Sequence, residues 1–425
     1  MKHTDYEFVG DQESLRQINL STVLTNLRQN APISRAALAE ITGLNRATIT
    51  RLVRELITHG FVRETGFQSI RAGRPSILLQ LDPDAGCIIG AEIEVKFGSV
   101  ILTDLAAHVL WRQEVDFVDE DKPDAVLNSI AQLVRQALSQ ASEANRHILG
   151  LGMSLPGLVD VSSGVLLFAP NMRWNDVPVK QWLEKEFDIP IYVDNKANMA
   201  ALAESYFGSA RESEYVLYIN ITAGVGSGIV LKQRIMTGAA GLAGEVGHMT
   251  INPDGPKCNC GSHGCWETYV SALAVFRRVR KAILDGKQSQ LAEVVRDGFE
   301  RITIPLMVEA ARKGDQVALD SFEETGYYLG VGLANLINTF NPEKVVLGGY
   351  VTQAYEFLLP VIQKTVQERA LRWPREAADI VVATYLNDAS LMGAVATVYS
   401  QILSNPNQAF RAKRGLSQSQ EVMYK

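Results

Sequence analysis

Cysteine is scarce in this chain, four among 425 residues, and that count excludes a fold stapled throughout by disulfides. No apolar run reaches the ~20 residues that a membrane-spanning helix needs. The opening MKHTDYEFVG lacks the apolar core of a signal peptide, so the expectation is a cytoplasmic protein with no membrane partner. A net charge of −6 excludes a uniformly basic surface built to coat nucleic acid. Lysine is missing altogether from residues 14–81, and what stands there instead is informative. Arg16, Arg28, Arg35, Arg46, Arg51, Arg54, Arg63, Arg71 and Arg74 face only Glu40, Glu55 and Glu64. An arginine-rich end on an acidic body points to a DNA-contacting module.

Three of the four cysteines fall in one stretch, Gly247 to Glu267, which reads GHMTINPDGPKCNCGSHGCWE. They are spaced Cys258-x-Cys260-x4-Cys265, ten residues after His248. Three thiolates and one imidazole make a closed tetrahedral set of the kind structural zinc uses, and the glycines and proline let the backbone fold around a small ion. Clustered thiols of this sort suit a reducing compartment. His263 is an alternative imidazole, but it lies inside the Cys260–Cys265 loop, where reaching the same ion strains the backbone. Glu245, His248 and Glu267 surround the motif with groups suited to a hydroxylated ligand. The fourth cysteine, Cys87, sits in an apolar run and reads as core.

The amino-terminal stretch has the signals of a winged helix-turn-helix. Residues 15–29 place Ile18, Val23, Leu24 and Leu27 at helical spacing. Ser34 is placed to cap a short second helix, Gly43 to end it, and Asn45 to cap a third helix from Arg46 to about His59. Ile49, Leu52, Val53 and Leu56 form the apolar face of that third helix. The opposite face begins Arg46, Ala47, Thr48, Thr50, Arg51, residue types that read guanine, contact thymine methyls and reach phosphates. Strands starting near Phe61 and at Ser76 flank a basic tip, where Arg71 and Arg74 could enter a minor groove. Candidate DNA contacts are therefore Arg35, Asn45, Arg46, Ala47, Thr48, Thr50, Arg51, Arg71 and Arg74. The bland alternative is a small helical bundle with a solvated basic face.

From Ala85 strands alternate with helices. Strands are expected at 87–93, 99–104, 148–155, 189–194, from Tyr215, and at 344–348. Helices are expected at 124–141, 197–207, 326–340 and 391–403. This alternation predicts two α/β lobes with a cleft between them. The expected division is residues 1–81 for the winged module, 82–194 plus 389–404 for the first lobe, and 195–388 for the second. The polar residues 405–425 are expected to be disordered.

Ile221-Thr-Ala-Gly-Val-Gly-Ser-Gly, then Gly238, Gly241 and Gly244-Glu-Val-Gly-His248, then the cysteine motif through Glu267, resemble the signature of the ROK family (repressors, open reading frames and sugar kinases). Leu155-Pro-Gly-Leu-Val-Asp160, the segment Pro170 to Pro178, and Asn341-Pro-Glu-Lys-Val-Val-Leu-Gly-Gly349 extend the resemblance over most of the body. It implies an actin-like sugar-kinase fold. With the winged module it implies the repressor branch, whose relatives respond to xylose, glucose or N-acetylglucosamine. By the same resemblance, a sugar would be held by Asn171, Asn195, Lys196, Glu245, His248 and Glu267. The zinc ligands would be His248, Cys258, Cys260 and Cys265. Glu245 as a cap and Asn171 as an Asx-turn are the plainer alternatives.

Two departures from the family's kinases stand out. Those kinases carry Asp-x-Gly-Gly-Thr-Lys after the first strand; here Glu92-Ile-Glu-Val-Lys-Phe97 stands there, so Glu94 and Val95 replace two phosphate-approaching glycines. They also carry Asn-Asp-x-Asn, in which the Asp takes the sugar proton; aligned on Ala200-Ala-Leu-Ala-Glu204, this chain has Asn195-Lys-Ala-Asn198. An ammonium has no lone pair with which to act as a base. Lys196 either neutralises Glu92 or Glu94 or attracts an anionic ligand. The glycines from Gly224 to Gly228 read as a tight turn rather than a phosphate cradle. The expectation is a sugar-responsive repressor without catalytic residues, binding an inverted-repeat operator as a homodimer or homotetramer. A sugar kinase with an added DNA module is the alternative.

Overall fold

The computed structural model describes residues 12–68, 76–298 and 301–410. The chain divides into two compact units. One comprises 1–156, 163–193 and 394–425; the other comprises 157–162 and 194–393.

The first unit opens with helices Gln12–Asn30, Arg35–Thr42 and Arg46–Thr58. Ser34 and Asn45 cap the second and third by accepting from the amides of Ala37 and Thr48, and Gly43 closes the second at φ 70°. Leu20, Val23, Leu24, Leu27, Leu38, Ile49, Leu52, Val53 and Leu56 are buried together. Ile18, expected in this core, is exposed, because the inward stripe of the first helix runs through Leu20 instead. Strands Val62–Gln68 and Ser76–Leu81 pair antiparallel, and the short strand Ile33–Ser34 adds a third to that sheet. The wing tip, with Arg71 and Arg74, lies outside the described residues. Arg16 grips Glu55 with two guanidinium nitrogens and so ties the first helix to the third.

Behind this module lies a five-stranded sheet. Cys87–Ile93 is central. Phe97–Asp104 and Val109–Asp116 follow it as an antiparallel meander on one side; the parallel strand Ile148–Leu155 and then Ile191–Asn195 lie on the other. The third strand of the meander escaped prediction because its residues are mostly exposed and carry no apolar alternation. Helix Pro123–Glu143 packs on this sheet through Val126, Ile130, Val134 and Ala137. Helix Ala389–Ser404 packs on Ile148–Leu155 so closely that a Cβ on Gly152 would lie 2.0 Å from the Ala394 carbonyl oxygen. Gly152→Ala is therefore expected to lower stability by about 2–3 kcal/mol in urea unfolding, because the obstacle is backbone that cannot rotate away.

The second unit repeats the plan. Tyr215–Ile221 is central, Val225–Leu231 and Arg234–Ile235 form its antiparallel meander, and Lys344–Gly348 and Asp379–Val382 run parallel on the other side. Two sheets with one strand order are the duplicated architecture of the actin-like sugar-kinase fold. The expected helix 326–340 is the end of a longer one, Gln316–Phe340. Gly326 and Gly330 let that helix approach Tyr355–Arg369. The first half escaped because its buried stripe includes polar Ser321 and Thr325 beside Val317, Ala318 and Phe322, which weakens the apolar periodicity.

The tail is not wholly disordered as expected. Residues 406–410 are helical, and Ala409 and Phe410 are buried. Two apolar residues in a polar stretch suffice to dock it. Residues 411–425 lie outside the described residues.

Candidate metal and ligand site, and a candidate nucleic-acid interface

The stretch after Gly244 folds back on itself as a knot. The amides of Ile251 and Trp266 donate to the carbonyls of Gly264 and Met249, and Cys258 N–H donates to Ser262 O at 2.8 Å. Gly264, at φ 65°, passes so near Asn252 that a Cβ would meet its carbonyl at 1.6 Å, so no other residue fits there. Trp266 is fully buried, donates from Nε1 to Tyr328 O, and lies against Gly332 of the long helix. The turns bring His248, Cys258, Cys260 and Cys265 together, with one ligand atom from each within 4.8 Å of all the others. Cys260 Sγ is 3.6 Å from Cys265 Sγ, and Cys258 Sγ is 3.7 Å from His248 Nδ1. Metal–sulfur bonds of about 2.3 Å in a tetrahedron give edges near 3.8 Å, so these four residues could hold one ion. His263 is not in the cluster; it bridges to Lys257 instead.

The surroundings are polar. Glu267 Oε1 accepts from Cys258 Sγ at 2.9 Å and lies 3.6 Å from His248 Nδ1. The other ring nitrogen, Nε2, faces Glu245 Oε2 at 4.0 Å. The imidazole therefore turns one nitrogen toward the thiols and the other toward Glu245. Burial pushes the Cys258 and Cys265 thiols up, while the backbone at Ser262 holds Cys260 down. Burial also raises Glu245, with His248 pulling against it.

The hairpin tip Thr222–Gly224 and the strand after it seat the neighbours. A Cβ on Gly247 would meet Val225 O at 2.1 Å, one on Gly224 would meet Glu267 Oε2 at 2.9 Å, and one on Gly228 would meet Ala201 Cβ at 2.5 Å. Ser227 Oγ donates to Gly244 O. These glycines serve close packing of the knot on one side and helix Lys196–Tyr206 on the other. Sequence reading missed Ser227 and Trp266 as supports; a serine between two glycines and a tryptophan beside Cys265 were the available signals.

Helix Lys196–Tyr206 begins beside this tip. Asn195 caps it, its Oδ1 accepting from Asn198 N at 2.9 Å, so that oxygen is committed to the cap. Lys196 is half-buried in the first turn. Asp194 is buried and accepts from Asn195 N at 2.7 Å and Asn198 Nδ2 at 2.9 Å. Burial pushes its carboxyl up to about 6, against the pull of those two donors. A folded value above the ordinary one means that the ionised group costs stability above about pH 6, and that the cost vanishes as pH falls toward 4. Asp194→Asn should thus raise the melting temperature at pH 8, by up to about 3 kcal/mol of stability, and change nothing at pH 4. A pH series of thermal melts checks this. Asn171 lies in the other compact unit, exposed in a 3-10 turn.

On the winged module, Arg46, Ala47, Thr50 and Arg51 are exposed and Thr48 half-buried, opposite the buried stripe of the third helix. Thr50 Oγ1 donates back to Arg46 O. Asn45 is occupied as the cap, and Arg35 is paired with Glu64 at 2.7 Å. Among the described residues, no helix is long and apolar enough to cross a membrane.

Comparison with known proteins agrees with both halves. The MarR family pattern matches residues 19–65, which places the amino-terminal module among winged helix-turn-helix domains. The xylose repressor of Caldicellulosiruptor bescii is 33% identical over 402 residues, covering 94% of this chain and 100% of its own length. A crystal structure of a ROK family transcriptional regulator, a homologue of the Escherichia coli MLC protein, superposes with a TM-score of 0.81. It is 31% identical and covers 93% of this chain and 99% of that one. A ROK family glucokinase from Streptomyces griseus, in complex with glucose and AMPPNP, is also 31% identical. Its TM-score is 0.63, and it covers only 73% of this chain but 98% of its own. The ROK family pattern itself matches residues 89–401, and the chain belongs to the ROK family.

Proposed function

We propose that this chain is a cytoplasmic, sugar-responsive transcriptional repressor that reads an inverted-repeat operator as a homodimer or homotetramer. The observation that carries the reading is the third helix, Arg46–Thr58. Its apolar face is sealed in the module core, and its arginines and threonines stand outward at its capped start. Arg46, Ala47, Thr48, Thr50 and Arg51 meet base edges and phosphates; Arg71 and Arg74 reach the minor groove. Asn45 orients the helix, and Arg35 adds a backbone contact once released from Glu64.

The knot holds zinc through His248 Nδ1, Cys258, Cys260 and Cys265, since three thiolates and an imidazole are a donor set zinc favours. Zinc supplies a structural brace. It also fixes the imidazole tautomer, leaving Nε2 to meet a sugar hydroxyl beside Glu245. Glu267, Asn195 with its amide nitrogen and Lys196 complete the grip on the ligand.

The chain performs no phosphoryl transfer in this reading. Lys196 stands where the family's base is in sequence, and Asp194, the carboxylate two residues before it in the chain, is buried and already bonded. Glu94 and Val95 fill a tight hairpin turn, closed by Glu94 N–H to Phe97 O at 2.8 Å, where the kinases have glycine. Two experiments test the whole. The chain should enrich a palindromic duplex from a randomised library, and one of xylose, glucose or N-acetylglucosamine should raise its melting temperature by several degrees and shift duplex affinity. A coupled ATP assay on the same sugars should stay at background; turnover above background transfers the case to a sugar kinase carrying a DNA module.

A further inference from the structure

The helical turn 406–410 does more than end the chain. The Phe410 ring stacks on His59 with centroids 4.0 Å apart and planes 12° from parallel, and it meets Phe61 at 5.3 Å. His59 is the C-cap of helix Arg46–Thr58, its amide bonded to Glu55 O and Ile57 O. Phe61 is fully buried, and its amide bonds Leu56 O in the same helix. The polar residues of the turn hold the other side of the module. Asn405 Oδ1 accepts from Gln17 Nε2 at 3.1 Å, and Asn407 Nδ2 donates to Glu13 Oε1 at 3.0 Å, both on the first helix. Gln408 bonds Tyr192 on the edge strand of the five-stranded sheet. The turn follows directly on helix Ala389–Ser404, which is locked against that sheet at Gly152.

We infer that Phe410 is a positioning residue for DNA reading, clamping the C-terminal end of the third helix so that its exposed N-terminal half keeps a fixed direction relative to the sheet. The inference rests on the DNA-binding reading. The covalent connection from Leu81 to Cys87 is short but enters only at the end of the wing strand. The Phe410 contact is a second attachment, made at the helix that matters. Two attachments define an orientation where one leaves a swivel. Two copies on an inverted repeat need that orientation, because both helices must enter their half-sites at once. Contacts to phosphates in unrelated sequence do not need it. The clamp thus acts on specific binding and spares non-specific binding.

The probes are a duplex enriched by the wild-type chain from a randomised library and a scrambled duplex of equal length at low salt. Phe410→Ala should weaken binding to the enriched duplex about tenfold and leave the scrambled one unchanged. His59→Ala should do the same, the double variant should be no worse than either single one, and His59→Phe, which keeps a flat ring, should bind as wild type. Hydrogen exchange monitors the buried amides from Leu20 to Leu27. Equal affinity of Phe410→Ala and wild type for the enriched duplex overturns the inference. So does loss of both affinities together with exchange protection, which would make Phe410 merely a prop for folding. If the wild-type chain enriches no duplex, the DNA reading itself fails first, and visibly so.

Discussion

Cys265→Ser should strip the protein of metal and of its sugar response together. The wild-type chain is expected to purify with about one zinc per chain, and the variant with less than about a tenth of that. Cys265 is fully buried and stands 3.6 Å from Cys260, so a serine there offers a poorer ligand in a place water cannot fill. The consequence is local. Structural zinc contributes roughly 10–16 kcal/mol in isolated zinc-finger peptides, where it is almost the whole core. Here the knot rests on Trp266, which is sealed against the long helix. The sheet and helices of the second unit should therefore survive while residues 244–267 become open to protease. Because Glu245, His248 and Glu267 all hang on that stretch, the melting-temperature rise on adding sugar should vanish. Glu267→Gln separates the two roles: it should keep the zinc and lose most of the rise. Elemental analysis with thermal melts reads both. A metal-free variant that still responds to sugar would detach the ligand grip from the knot.

How far the sequence revealed this depended on whether the signal was local. The cysteine spacing, the caps Ser34 and Asn45, the turn at Gly43 and the apolar stripe of Ile49, Leu52, Val53 and Leu56 are all short-range patterns, and the structure has them where they were expected. The strand Ile148–Leu155 was legible because it is buried along its whole length. What was hidden depended on distant partners. Val109–Asp116 is a strand only because Phe97–Asp104 pairs with it. The first half of the long helix, whose buried stripe mixes Ser321 and Thr325 with Val317, Ala318 and Phe322, does not read as a core-facing helix until its packing partners are known. Phe410 looks like one aromatic in a polar tail until His59 and Phe61 are beside it. The carboxyl of Asp194 is of the same kind: its elevated pKa comes from burial that no neighbour in sequence announces.

The same logic sets the expected outcome at the other end of the chain. Arg46→Ala and Arg51→Ala should each weaken binding to the enriched duplex by about 1–3 kcal/mol, roughly 5- to 150-fold, while leaving the melting temperature nearly unchanged. Both side chains are exposed and on the face opposite the core, so the folded module loses nothing it uses internally. Arg16→Ala is the contrasting case. Its guanidinium is held by Glu55, and its removal leaves that carboxylate half-buried and unanswered, so stability should fall and the salt slope of binding should stay as it was. An arginine that meets a phosphate shows itself by lowering the slope of log affinity against log salt by about one when removed. One that reads a base shows itself by tolerating a changed base pair. Measuring affinity for the enriched duplex and its single-base variants at several salt concentrations therefore assigns Arg46 and Arg51 to one role or the other. If neither substitution alters affinity or slope, the outward face of the third helix is not the reading surface, and the arginine surplus of residues 14–81 must serve something other than DNA.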